Sequence, residues 1–597
     1  MKMMRASITA LGLALLLSAC GGSNNSPGSG GSTGAASGGS TGSSSGGSTG
    51  SSSGGSTGNS SGGSSGSASG GAIGTASGGN PGTGGSTPTS SGGKPGPTGS
   101  GGAAPAGSGG TPAPGSGGAA PSGSGGMPST GSGGANPIGS GGVDLPALVI
   151  SGPNSYWQTS TMATNPTSGN ADVTVNDGTT YQTWDGMGGA FNEMGWDDLM
   201  QLSEGDRDQA IKLLFSPTEG AGFIFGRIPI GASDYAIDRY TDDETAGDYT
   251  MDHFSIDRDK MRLVPYVQAA LGVNPKLRLW GSPWTPPTWM KDNSDFNGGN
   301  MKDDAKILQA LALYLVKWVQ AYGDQGIPVE AIHPQNEPGY STGYPSCLWT
   351  SALYTKFIGQ YLGPTFTMMN VNAKIYLGTM SNGDSGKDPS IVSAVLADAT
   401  AMKYIAGFGF QWGMLGSVSG VTSKKLPVMQ TEHKAGNYPF SQSGETPPPG
   451  PFNMNMAPND HTYAMESWGL IRDWVKAGVN SYSAWNMVLD NIGNGVDSGR
   501  AWPQNALLTV DRSAKKLTAT PAYYVFRHIS QYVRAGATRV ATSGLSDALA
   551  FKNPDGGLVT VLYNSATSMK TITVSMGGTR YQFPVPGTGF ATVIKKP

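Results

Sequence analysis

The chain has 597 residues, with 95 glycines, 40 prolines and a formal net charge of −3. Residues 21–142 hold 47 of those glycines and one charged side chain, Lys94, so this stretch lacks the apolar mass to offset its ordering entropy and is excluded as a core. All 40 acidic residues fall in 143–597, where they outnumber Lys and Arg; that argues against a nucleic-acid binder, and the length suits one barrel-sized domain plus a smaller one.

In chain order, Lys2 and Arg5 precede the apolar run Ile8–Leu17, and Ser18-Ala19-Cys20 follows, the layout of a secretory signal over residues 1–20 that is too short for a lasting membrane span. Leu17-Ser18-Ala19-Cys20 resembles the bacterial lipobox, which implies lipidation at Cys20. The expected location is the bacterial cell envelope, lipid-anchored and at the outer membrane, with simple secretion as the alternative. Membrane contact is then through the N-terminal lipid only. Residues 21–142 repeat units such as Gly38-Gly39-Ser40-Thr41-Gly42 and read as a disordered linker with a reach of roughly 60 Å. Cys347 is the only cysteine after Cys20, so no intramolecular disulfide is available to an exported protein.

Residues 143–183 alternate in polarity, as in Ala171-Asp172-Val173-Thr174-Val175, and carry the turn signal Asn176-Asp177-Gly178. The same pattern returns in 536–597, with Thr571-Ile572-Thr573-Val574 and the turn Pro554-Asp555-Gly556-Gly557. One β-sandwich assembled from both ends is expected, a separate module at each end being the weaker alternative. Between them, 184–535 alternates short apolar runs with helical spacing. Eight strands are expected: Trp184–Phe191, Phe223–Ile230, Lys276–Ser282, Val329–Gln335, Lys374–Met380, Gly407–Trp412, Pro427–Thr431 and Val479–Trp485. Ser203 and Asp206 form a near capping box for one helix, and Ile307, Leu308, Leu311, Leu315, Val316 and Val319 mark another that Gly323 should stop. The fold class is α/β, a (β/α)8 TIM barrel with a β-sandwich side domain. Only 413–426 separate the sixth and seventh strands, so the helix there should be degenerate.

Barrel enzymes carry reactive groups at the C-terminal ends of their strands. The fourth strand ends in Gln335-Asn336-Glu337-Pro338 and the seventh in Thr431-Glu432-His433. Carboxyls about 5–5.5 Å apart are what a retaining glycosidase needs, one protonated as acid and one ionised as nucleophile. Either Glu alone reads as a loop or surface charge; the pair beside Asn336 reads as chemistry. Trp284, Trp412 and Trp485 stand at strand ends, where an indole face can stack on a sugar ring or simply pack under loops. Tyr482 and His433 read as packing or supporting residues.

Six segments together resemble glycoside hydrolase family 30, the family of glucosylceramidases, endo-β-1,6-glucanases and certain xylanases. They are Gly186-Met187-Gly188-Gly189-Ala190-Phe191, Arg227-Ile228-Pro229-Ile230-Gly231-Ala232-Ser233-Asp234-Tyr235, Ser282-Pro283-Trp284-Thr285-Pro286-Pro287-Thr288-Trp289-Met290-Lys291, Asn336-Glu337-Pro338, Thr431-Glu432 and Trp485-Asn486. The resemblance implies Glu337 as acid/base, Glu432 as nucleophile, Asn336 as partner of the sugar 2-hydroxyl and Arg227 as a cation near the nucleophile that keeps Glu432 ionised, a plain buried ion pair being the alternative. Where many glucosylceramidase-like members have Thr-Asp, this chain has Asn192-Glu193. Glu193 is therefore expected to grip the outer hydroxyls in place of that Asp, or else to signal a different sugar.

Rival chemistries are weaker. No two of His253, His333, His433, His461 and His528 stand at i, i+4, so the zinc-helix motif is absent. Gly493-Asn494-Gly495 lacks the third glycine of a dinucleotide loop, and Gly383-Asp384-Ser385-Gly386-Lys387 is too short for a phosphate loop. In Gly339-Tyr340-Ser341-Thr342-Gly343 the strand does not run directly into the serine. The expected function is a retaining β-glycosidase that needs no metal or organic cofactor and acts on β-linked glycan or glycolipid, glucosylceramide-like or β-1,6-glucan. A xylan-directed member of the same family and a non-catalytic surface carbohydrate-binding lipoprotein are the alternatives.

Overall fold

The computed structural model describes residues 145, 147–167, 169–382, 387–435, 460–491 and 505–597. The expectations for the signal, Cys20, the linker and the strings beginning at Gly383 and Gly493 lie outside those residues. Eight parallel strands close a barrel: Gly186–Ala190 (β1), Phe225–Ile230 (β2), Arg278–Pro283 (β3), Val329–Ile332 (β4), Lys374–Met380 (β5), Ile405–Phe410 (β6), Val428–His433 (β7) and Ser481–Asn486 (β8). β8 pairs back onto β1, Ser481 opposite Gly186. All eight strands read from the sequence are present, because parallel strands buried on both faces leave near-continuous apolar runs.

Phe225, Trp280, Ala331, Tyr376 and Met429, from β2, β3, β4, β5 and β7, pack together as one core cluster, as the inward layers of a barrel do. A Cβ on Gly188 would lie 2.1 Å from the Phe225 carbonyl oxygen, so the close approach of β1 to β2 requires glycine there. Outside run helices such as Glu204–Phe215, capped by the Ser203 side chain, and Ala305–Asp324, capped by Asp304. The second passes through Gly323 before ending; the left-handed residue is Gly326, at φ 76°. Between β6 and β7 there are only short helical turns over Trp412–Lys424, the degenerate unit expected.

The flanking segments form one ten-stranded hydrogen-bonded sheet drawn from both ends of the folded region. Leu148–Gly152 pairs with Phe590–Lys595, and Val173–Trp184 with Ala537–Gly544. Leu148, Ile150, Val173 and Val175 share an apolar core with Val540, Leu558, Ile572, Val574, Phe583 and Val593, so neither end could bury its face alone. Asn176-Asp177-Gly178 corrects the reading of a turn. The Asn176 side chain accepts the Gly178 amide at 3.1 Å, yet the strand continues through it as a local irregularity in the pairing. A small sheet of Val488–Asp490, Leu508–Asp511 and Lys516–Ala519 follows β8 and was not foreseen.

Candidate active site

After β4 the chain runs through His333-Pro334-Gln335-Asn336 to Glu337, whose backbone adopts φ 47°. Left-handed backbone costs a non-glycine residue on the order of 1–3 kcal/mol, a strain that needs support from its surroundings. Glu432 is the fifth residue of β7. β4 and β7 are not neighbours in the barrel, so their carboxyls can meet only across its mouth. Gln411, first residue after β6, joins them: its Nε2 is 3.2 Å from Glu337 Oε1 and 3.4 Å from Glu432 Oε2. Two contacts on one atom hold those oxygens no more than about 6.6 Å apart.

The two carboxyls have different surroundings. Glu432 is ion-paired with the buried Arg227 of β2 and accepts the Trp412 indole N–H at 2.9 Å. Arg227 also donates to Ser282 Oγ at 3.0 Å and to Asn336 Oδ1 at 2.7 Å, and its guanidinium lies 4.2 Å from the Trp284 ring centre. Glu337 has no cation in direct contact among the described residues; Gln411, the Tyr344 hydroxyl at 3.4 Å and the Ser381 side chain are its partners. Burial raises both carboxyls above the ordinary range. Both stand at about 7: Arg227 pulls Glu432 down while Glu337 and Asp234 push it up, and Asp388 and Asp234 push Glu337 up. Only Glu432 touches a cation, and that contact favours Glu432 as the carboxyl of the pair that ionises first.

Asn336 is oriented by its donors. Its Oδ1 accepts from Arg227, from the Thr379 hydroxyl at 2.7 Å and from Gln411 at 3.3 Å, which leaves the amide NH2 as the group it offers. Trp284 and Trp485 stack on each other, centroids 5.3 Å apart, with Arg227 beside both. Trp412, at φ 42°, turns its N–H rather than only a ring face toward Glu432. Glu193, the first residue of a short helix after β1, is buried; its Oε2 accepts the Ile237 amide at 2.9 Å and Arg258 at 3.1 Å, while Oε1 finds no partner among the described residues. His333, buried beneath the site, packs 4.4 Å from Trp280 and is held neutral by burial. His433 and Tyr482 are buried as well, with His433 against the Trp412 ring.

Reading the sequence missed Gln411, Tyr344, Ser381 and Asp388. A search for carboxylates at strand ends passes over Gln411, although its place directly before Trp412 was a usable signal. Asp388 reads in sequence as a helix-opening acid. The other two lie on loops whose course the sequence does not give. Among the described residues no helix is long and apolar enough to cross a membrane.

Residues 184–533 match the glycosyl hydrolase family 30 TIM-barrel domain, and 536–593 the beta sandwich domain of the same family. The chain is 27% identical to the lysosomal acid glucosylceramidase of Mus musculus over 430 residues, 66% of this chain and 77% of that protein. It is 26% identical to the endo-1,6-beta-D-glucanase BGN16.3 of Trichoderma harzianum over 402 residues, 63% of this chain and 74% of that protein. The solved structure of the endo-beta1,6-glucanase BT3312 superposes with a TM-score of 0.65 at 26% identity, covering 76% of this chain and 99% of that one.

Proposed function

The chain belongs to glycosyl hydrolase family 30, and on that footing we propose that it is a retaining β-glycosidase that cleaves β-glucosidic bonds of a glucosylceramide-like or β-1,6-glucan substrate. The observation that carries this reading is one amide nitrogen, Gln411 Nε2, in contact with both Glu337 and Glu432 while Arg227 touches only the second. Two carboxyls in contact with one nitrogen lie toward the roughly 5–5.5 Å that suits direct attack on the sugar rather than the roughly 6.5–9.5 Å that leaves room for a water between sugar and base.

In the first step Glu432 attacks the anomeric carbon as Glu337 passes its proton to the departing glycosidic oxygen, leaving a glycosyl ester on Glu432. In the second, the Glu337 carboxylate takes a proton from water, the resulting oxygen attacks the same carbon, and the Glu432 carboxylate departs. Two inversions give net retention. Arg227 and the Trp412 N–H stabilise the negative charge on Glu432 before attack and again as it leaves. The Asn336 amide NH2 donates to the 2-hydroxyl. Trp412, the partly exposed one of the three tryptophans, offers its ring to the sugar while Trp284 and Trp485 pack beneath the site, and the unpartnered Oε1 of Glu193 is the proposed acceptor of an outer hydroxyl. We extend the proposal to export, with the chain held at the cell envelope by a lipid on Cys20.

Glu432→Gln is expected to abolish turnover with the fold intact, and undiminished hydrolysis by that variant would overturn the reading. A screen of glucosylceramide, β-1,6-glucan and glucuronoxylan, with the anomer of the first product read by NMR, assigns the substrate; preference for the xylan would move the chain to the family's other activity.

A further inference from the structure

Asp388 opens the helix Asp388–Ala397 after β5 and is 1% exposed. Two separate contacts tie it to Glu337. Its Oδ2 accepts the Ser381 amide at 2.7 Å, and the Ser381 side chain in turn hydrogen-bonds Glu337. Its Oδ1 lies against Gly339, where an added Cβ would sit 2.2 Å away; Gly339 lies inside the turn that begins with Glu337 in its left-handed conformation and that the Tyr340 amide closes by donating to the Glu337 carbonyl at 3.0 Å. Among the described residues no Lys or Arg pairs with Asp388. A carboxylate buried this deeply without a cation is costly, and Asn could accept the same amide without the charge. A purely structural role would leave that cost unanswered.

We propose, taking the reading of Glu337 as the acid for granted, that Asp388 is a positioning residue that fixes the Glu337 carboxyl through Ser381 and the Gly339 turn and whose negative charge holds the proton on Glu337. Burial raises Asp388 to about 7 while the backbone amides of Ser381 and Gly339 that face it favour its ionised form; Glu337, raised as far, meets only a neutral amide and hydroxyls. The remaining groups that act on Glu337 are Asp234 from the loop after β2, Glu432 from β7, Arg227 from β2 and Tyr344 from the loop after β4; Tyr354, on Ser351–Lys356, faces Asp388. Arg227 and Glu432 pair with each other and largely cancel at Glu337, which leaves Asp388 as the strongest charge acting there. Once Glu337 has given its proton to the leaving oxygen, the same neighbour makes its carboxylate a stronger base toward the incoming water.

The test is the pH dependence of kcat/KM on an aryl β-glucoside for the full chain and for Asp388→Asn, Asp388→Glu and Glu337→Gln. The alkaline limb, set by Glu337, should move down by about one pH unit in Asp388→Asn and stay in place in Asp388→Glu, while the acid limb, set by Glu432, does not follow. Asp388→Ser, also neutral and able to accept the Ser381 amide, carries the same expectation if the Asn variant does not fold. A neutral variant whose alkaline limb coincides with that of the parent overturns the inference, as does an equal displacement in Asp388→Glu. Full activity in Glu337→Gln removes the premise instead, so the two failures are distinguishable.

Discussion

Replacing Glu337 by Gln should stabilise the protein at alkaline pH and leave it unchanged in acid. The carboxyl is fully buried and raised from 4.5 to about 7 by burial and by the Asp388 and Asp234 charges. A carboxyl raised on folding contributes its full stability below the unfolded pKa and loses it as pH climbs through the folded one. Here the window runs from about pH 4.5 to 7, and the span, at about 1.4 kcal/mol per unit, is worth roughly 3 kcal/mol. Gln keeps the shape and still accepts from Gln411, but never carries the charge. With about 2.1 cal/mol/K of unfolding entropy per residue, a folded region of this size moves by roughly 1 °C per kcal/mol, so Tm should rise by about 3 °C at pH 8. Differential scanning calorimetry of both proteins at pH 4.5 and 8 reads this directly. Equal displacement at both pH values, or a drop at pH 8, would refute the argument that Glu337 is buried against its own ionisation.

Two further outcomes follow from the same contacts and a third from the N-terminal sequence. Arg227→Met leaves Glu432 buried without its cation, which should cost about 3–5 kcal/mol in urea unfolding and raise the acid limb of kcat/KM as Glu432 becomes harder to ionise; an unmoved acid limb counts against the pairing. Trp412→Phe removes an N–H donated to a carboxylate, worth about 1.5–3 kcal/mol, so kcat/KM should fall roughly 10- to 100-fold with the acid limb again displaced upward; a rise in KM alone would instead point to stacking. Cys20→Ser should transfer activity from the membrane fraction to the soluble fraction of cell extracts, and activity that is soluble in both proteins contradicts the lipid anchor.

The barrel was legible because its parallel strands are short apolar runs at regular intervals, and the shared sandwich because Val173 and Val175 at one end and Ile572 and Val574 at the other alternate in the same way. Local turn chemistry was a poorer guide. Asn176-Asp177-Gly178 carries the residues of a hairpin turn, but its Asx contact falls within a long strand, where residues 177–179 bulge out between the pairs Asn176–Ala541 and Thr180–Val540. Strands as short as Val488–Asp490 leave too little periodicity to read. In the site, charge and position at strand ends were enough to single out Glu337 and Glu432, while the roles of Asn336 and Arg227 came with the resemblance to the family's motifs. How each tryptophan is used was not legible, since sequence does not say whether an indole presents its face, as Trp284 does to Arg227, or its N–H, as Trp412 does to Glu432. Gln411 carries no charge and was passed over, although it is the side chain that brings the two carboxyls to one point.

The most direct test of the central claim is to trap the intermediate with a 2-deoxy-2-fluoro β-glucosyl fluoride, or the fluorinated form of whichever sugar the screen identifies, and map the adduct by mass spectrometry of peptides. A single glycosyl group on the peptide carrying Glu432, absent from Glu432→Gln, is the predicted result. An adduct on another residue, or rapid turnover without any adduct and with the inverted anomer released first, would contradict it.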